Sequence, residues 1–114
     1  MRGTIFGLAA LAFCGPSYAG GDAVVGQQKA QVCAACHGST GISAYEQTQA
    51  PIIAGQYADY IVRALKDYKS GERENPIMKG LVANLTEQDM EDIAVYYAKQ
   101  DGLAAPEITN PVTE

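Results

Sequence analysis

Cys33-Ala34-Ala35-Cys36-His37 sets two thiols and an imidazole within five residues. On a helix, positions three and four apart share a face, so Cys36 and His37 project to the same side as Cys33. Two thiols at this separation can reach the two vinyl groups along one porphyrin edge and form thioethers. The adjacent imidazole is then held beside the iron at high effective concentration. The pattern therefore predicts covalent attachment of one haem c, with Cys33 and Cys36 as the attachment points and His37 as an axial ligand. A structural zinc centre needs four ligands, usually from two clusters, whereas the chain has one histidine and three cysteines. A thioredoxin-like redox pair would follow a strand in a βαβ unit, a pattern this chain lacks. A plain disulfide between Cys33 and Cys36 remains as the alternative.

Iron held by one histidine has a second axial position. Its occupant separates electron transfer from ligand binding or peroxide chemistry. With a single histidine in the chain, a second imidazole is excluded, and a methionine thioether is the natural ligand. Met1 belongs to the leader described below, and Met90 falls on the apolar face of the last expected helix. Met78 follows Asn75-Pro76-Ile77 in a loop, where backbone can approach the far side of a haem, and is the expected ligand. The alternative is a surface Met78 that leaves the iron five-coordinate or bound by water or Lys79.

The start of the chain reads as a secretory leader. Met1-Arg2 is followed by an apolar run from Ile5 to Phe13, and Ser17-Tyr18-Ala19 places small residues where a signal peptidase reads. Cleavage after Ala19 would leave residues 20–114 as one small domain, exported to the periplasm, and the run is too short for a permanent membrane span. Lipidation of Cys14 is disfavoured by the bulky Phe13 before it. Removing the leader also settles the odd cysteine count, because both remaining thiols belong to the haem motif. Loss of Arg2 takes the formal charge from −5 to −6, which argues against nucleic acid or an anionic membrane as a partner.

The elements that must position these groups are helical. Asp22 caps a helix expected over residues 23–35, with Gly26 explained either by a close helix crossing or by ordinary tolerance. Residues 38–56 read as an irregular wrap around a cofactor edge. Tyr57, Tyr60, Ile61, Ala64, Leu65 and Tyr68 form an apolar stripe on a helix ending at Gly71. Residues 72–85 read as a second loop, and Thr86 caps a last helix running to about Gln100. Residues 102–114, with Pro106 and Pro111, form a loose tail. No segment alternates as a strand, so the fold class is all-α: three main helices plus loops wrapped around one haem.

The chain resembles the class I cytochromes c, the small soluble bacterial kind, and one half of the two-domain dihaem cytochromes. The resemblance rests on Gly21-Asp22, Gly26, Cys33 to Gly38, Pro51 to Tyr57, Lys69 to Asn75, Met78, Leu85-Thr86 and Ile93 to Tyr97. It implies His37 and Met78 as the two axial ligands and the Pro51 carbonyl as acceptor from the other His37 ring nitrogen. It also implies a crossing of first and last helices at Gly26, near Ile93 and Tyr96. Arg73, Asn75 and Gln56 would lie near the haem propionates or Met78.

The function expected is a one-electron carrier, not an enzyme, monomeric and docking transiently with redox partner proteins. Two alternatives stay open: a haem subunit of a larger redox complex, and a ligand-binding or peroxidase-type cytochrome in which Met78 is not a ligand. Arg63 to Lys79 is rich in basic residues and Glu87 to Asp92 in acidic ones. This asymmetry either orients docking or reflects solvated helix faces.

Overall fold

Asp22 begins the first helix by accepting the Val24 and Val25 amides at 2.8 and 3.1 Å, which satisfies donors that no helical carbonyl can reach. A computed structural model describes residues 20–43 and 49–102. The expected leader and the tail beyond residue 102 lie outside the described residues. Five helices follow in order: α1 (Ala23–Lys29), α2 (Gln31–His37), α3 (Ala58–Ser70), α4 (Pro76–Val82) and α5 (Glu87–Ala98). Among the described residues there is no strand, and no helix is long and apolar enough to cross a membrane.

The first helix expected over residues 23–35 is two. Ala30 is the joint, with φ −73° and ψ −2°. Its carbonyl accepts the Cys33 amide at 2.9 Å and the Ala34 amide at 3.0 Å, a shared bond typical of a tightened turn. The Tyr97 hydroxyl lies 3.5 Å from the same carbonyl. Ala30 is buried, and its conformation turns the haem motif onto a separate short helix.

The loop expected over residues 72–85 contains α4. Asn75 caps it through the Ile77 and Met78 amides at 3.0 and 3.1 Å, and Pro76 occupies the first turn, where its missing N–H is no loss. An Asn-Pro pair before Ile77 and Met78 is a helix start, and the expectation of a loop over residues 72–85 misses α4.

α3 and α5 match their expected spans closely. Gly71 ends α3 with φ 91°, a left-handed conformation that favours glycine. Thr86 and Asp89 form a reciprocal capping box at the start of α5. The core consists of Ala30, Ile61, Leu65, Val82, Met90, Ile93, Ala94, Tyr96 and Tyr97. Met90 is thus a core side chain, as its place on the helix face predicts.

α1 crosses α5 at backbone distance. A Cβ on Gly26 would run into the Asp92 carbonyl and meet the Tyr96 Cβ, and one on Gly21 would strike the Glu91 carbonyl. The close-crossing explanation of Gly26 therefore holds, with Asp92 and Tyr96 as its neighbours. Asp92, almost fully buried, accepts from the Asp22 amide at 2.8 Å, Lys29 Nζ at 2.8 Å and Gln88 Nε2 at 2.9 Å. Lys29 also pairs with Asp89 at 2.5 Å. Hydrogen bonds from Lys29 lower both carboxyls, Asp89 to about 2, and raise the Lys29 ammonium.

Candidate functional site

α2 carries the three groups of the motif on one short helix, and they line a single cavity of about 310 Å³. His37, the last residue of α2, is 8 % exposed, so its ring is directed inward rather than to solvent. Its Nδ1 lies 2.9 Å from the Pro51 carbonyl. A carbonyl can only accept, so Nδ1 carries the proton and Nε2 keeps the lone pair that a metal would take. Burial among apolar side chains pushes the Cys33 thiol up. Among the described residues, no three His, Cys, Asp or Glu side chains gather in a metal-holding group.

The strap that presents Pro51 is tied down at several points. Ile53 donates its amide to the Gly41 carbonyl at 2.9 Å, and Gly55 donates to the Tyr97 carbonyl at 2.9 Å. Gly41, with φ 88°, leaves no room for a side chain against the Ala54 amide. Gly102 presses on Ala54 equally closely. Residues 44–48 of the expected wrap lie outside the described residues.

Met78 lines the same cavity from α4, which packs on α3. It is half-buried against the core, whereas Met90 is enclosed within it. The Asn75 cap accepts the Met78 amide directly, so the residue that starts α4 also fixes where Met78 emerges. Gln56, Arg73 and Asn75, expected near the cofactor, all line the cavity.

The stripe on α3 divides. All of its members line the cavity except Tyr57, but Ile61 and Leu65 are also buried in the core, while Tyr60 and Tyr68 lie beside Arg73. The Arg73 guanidinium carbon stands 5.1 Å from the centre of the Tyr68 ring. Sequence reading assigned these tyrosines to the apolar face alone. Their i, i+8 spacing puts them on one side of the helix, but only Arg73 folding back from beyond Gly71 gives them a polar task.

Apolar side chains make up most of the lining, among them Val32, Ile53, Leu65, Leu81, Val82, Leu85 and Ile93. A broad apolar cavity holding paired thiols, an imidazole with free Nε2 and a thioether suits a flat, iron-bearing macrocycle bound through sulfur. The family model for cytochrome c matches residues 23–100. The chain belongs to the cytochrome c family.

Its relatives include cytochrome c4 of Pseudomonas aeruginosa, 42 % identical over 104 residues, covering 89 % of this chain and 51 % of that protein. Cytochrome c-554(548) of Halomonas halodenitrificans is 37 % identical over 87 residues, covering 71 % of this chain and 99 % of that protein. Among solved structures, reduced recombinant cytochrome c4 from Pseudomonas stutzeri superposes with a TM-score of 0.66 at 39 % identity. That match covers 73 % of this chain and 47 % of the other. The chain thus spans about half the length of the cytochromes c4 it matches. Membership of the cytochrome c family brings covalently bound haem c and its iron, and the all-helical architecture is that of class I cytochromes c.

Proposed function

We propose that this chain is an exported one-electron carrier whose haem c is fastened by Cys33 and Cys36 and ligated by His37 and Met78. One observation carries the reading: all four residues line one apolar cavity, and the Pro51 carbonyl fixes the His37 tautomer that leaves Nε2 available. When bound, the iron supplies the one-electron couple. His37 and Met78 are the residues that would hold the iron, and with both engaged no position would be left for a substrate. Among the described residues, the lining offers no second histidine and no carboxylate to serve as an acid or base in peroxide chemistry. The chain's task is to keep the ligand set the same in both oxidation states and to exclude water. On this reading the role is electron transfer rather than catalysis.

Electrons would pass at the cavity mouth. Val32 and Ile77 line the cavity yet are 55 % and 70 % exposed, so the mouth carries apolar surface suited to small, transient interfaces with redox proteins. The basic run of α3 is largely engaged within the chain: Lys66 pairs with Glu87, and Lys69 donates to the Leu85 carbonyl at 2.6 Å. That favours an apolar docking contact over charge steering. A relative of Stutzerimonas stutzeri named thiosulfate dehydrogenase electron acceptor, 35 % identical over 78 residues, supports the carrier class. Residues 1–19 act as the leader to the periplasm, and the mature protein, residues 20–114, works as a monomer.

The test is the mass and visible spectrum of the purified mature protein, with Met78→Ala beside it. The wild type is expected to carry one haem and a thioether-to-iron charge-transfer band. M78A should lose that band, become high-spin and bind carbon monoxide rapidly when reduced. An unchanged M78A spectrum removes Met78 as a ligand.

A further inference from the structure

A groove of about 470 Å³ runs between the start of α1, α3 and α5 and shares no lining residue with the haem cavity. Its backbone wall is Gly20 and Gly21, and its charges are Asp59, Arg63, Lys66 and Asp67 from α3 and Glu91 from α5. Three carboxylates thus face two cations. Arg63 pairs with Asp67 at 3.9 Å, Lys66 pairs with Glu87, and Asp59 accepts the Tyr60 amide at 3.0 Å. Among the described residues, Glu91 has no ion-pair partner. Position 20 is set by the residues after it. Gly21 lies flush against the Glu91 carbonyl, and the Asp22 amide donates to Asp92 at 2.8 Å. Two successive residues are therefore fixed on α5, which leaves Gly20 lining the same groove as Glu91.

While residue 19 is attached, the Gly20 nitrogen is an amide and carries no charge. Hydrolysis of the Ala19–Gly20 bond leaves a carboxylate on the released leader and an amine on Gly20, which is protonated at neutral pH. Building on the leader reading above, we infer that this cleavage supplies the groove with its third cation: the Gly20 ammonium pairs with Glu91 and adds an ionic tie to the crossing of α1 and α5. Exposed pairs of long side chains gain little, because both partners must be ordered. Here one partner is a backbone group placed by the fold, so chiefly Glu91 loses freedom. Leader removal and closure of the crossing are thereby coupled. The folded chain holds the amine proton more tightly than the unfolded chain does, so the tie is complete below the ordinary amine range. It is lost as pH rises through the higher folded value.

The experiment is an NMR pH titration of the Gly20 and Gly21 signals in the reduced holoprotein, paired with thermal melting over the same pH range. The proteins are wild type, Glu91→Gln, Asp59→Asn and a variant with one alanine left ahead of Gly20, which moves the amine by about 3.5 Å. The wild-type amine should titrate above its ordinary range of about 7.7–8.0. In E91Q and in the extended variant it should return to that range, whereas in D59N it should stay raised. Near neutral pH, E91Q should melt about 2 °C below wild type, and the gap should close once the amine is neutral in both. Comparing the two at each pH cancels Arg63 and Lys66, which both proteins share. An ordinary amine value in wild type overturns the proposal. So does a raised value that survives E91Q or disappears in D59N. Failure of the underlying leader reading shows separately, in the mass of the purified wild type, which would place its first residue elsewhere than Gly20.

Discussion

α1 meets α5 backbone to backbone, whereas α4 reaches the cavity on one buried residue, Val82, and one capping side chain, Asn75. At the crossing, two glycines lie flush against carbonyls of the facing helix, and buried Asp92 collects three donors from three different residues. Little there can shift without breaking several bonds together. On the α4 side, Ile77 and Leu81 are exposed and Gly80 faces open space. The helix that carries the proposed thioether ligand is thus the less constrained of the two. Stability resides where α1 and α5 cross, and adjustment at the proposed iron ligand resides on α4.

The sharpest way to break this contrast is to put volume into the crossing. Gly26→Val should cost at least ~3 kcal/mol and prevent recovery of folded holoprotein, because the neighbouring atoms are backbone and cannot move aside. Denaturant unfolding, or simple yield if no folded protein survives, measures it. Next comes the polar hub. Asp92→Ala should destabilise by about 2 kcal/mol, because the Asp22 amide loses its acceptor while Lys29 keeps Asp89.

Acid probes the same network without mutation. Asp89 and Asp92 have carboxyls lowered in the folded chain, so the fold binds fewer protons there than the unfolded chain does. Their contribution is complete above the ordinary carboxylate range and disappears as pH falls from about 4 towards 2. Melting temperature followed across that window should drop more steeply for wild type than for D92A.

Smaller effects are expected at α4. Asn75→Ala removes its cap, at about 1 kcal/mol. The thioether-to-iron band should then fade on warming well before global unfolding, with the main melting transition little changed. If both transitions move together, α4 is not the independent element described here. Gly80→Ala, in open space within the helix, should stabilise α4 by about 0.5–1 kcal/mol and delay loss of that band.

Legibility in the sequence followed the range of the forces involved. Local signals placed the capped starts at Asp22 and Thr86, the glycine stop at Gly71, and the Cys33-to-His37 grouping, because each is set within one or two helical turns. The all-helical class followed from the same periodicities. The joint at Ala30 was invisible, because no local residue marks it and the Tyr97 hydroxyl beside its carbonyl lies far along the chain. So was the Lys29–Asp89–Asp92 network, whose members look like ordinary exposed charges until α1 and α5 cross. α4 was legible in principle through Asn75-Pro76, but its helix is only seven residues long and its apolar residues face outward as often as inward. Tyr60 and Tyr68 were seen as a stripe. Their partner Arg73 reaches them only after the chain reverses at Gly71.

The strap carrying Pro51 has a mechanical side. It is hooked to α5 through the Gly55 amide on the Tyr97 carbonyl and pinned by Gly102 against Ala54. Loosening the last turn of α5 would therefore slacken the acceptor that polarises the His37 ring. A change in the last turn of α5 would then be felt at the His37 ring some sixty residues upstream, and through it at the centre that His37 is proposed to hold.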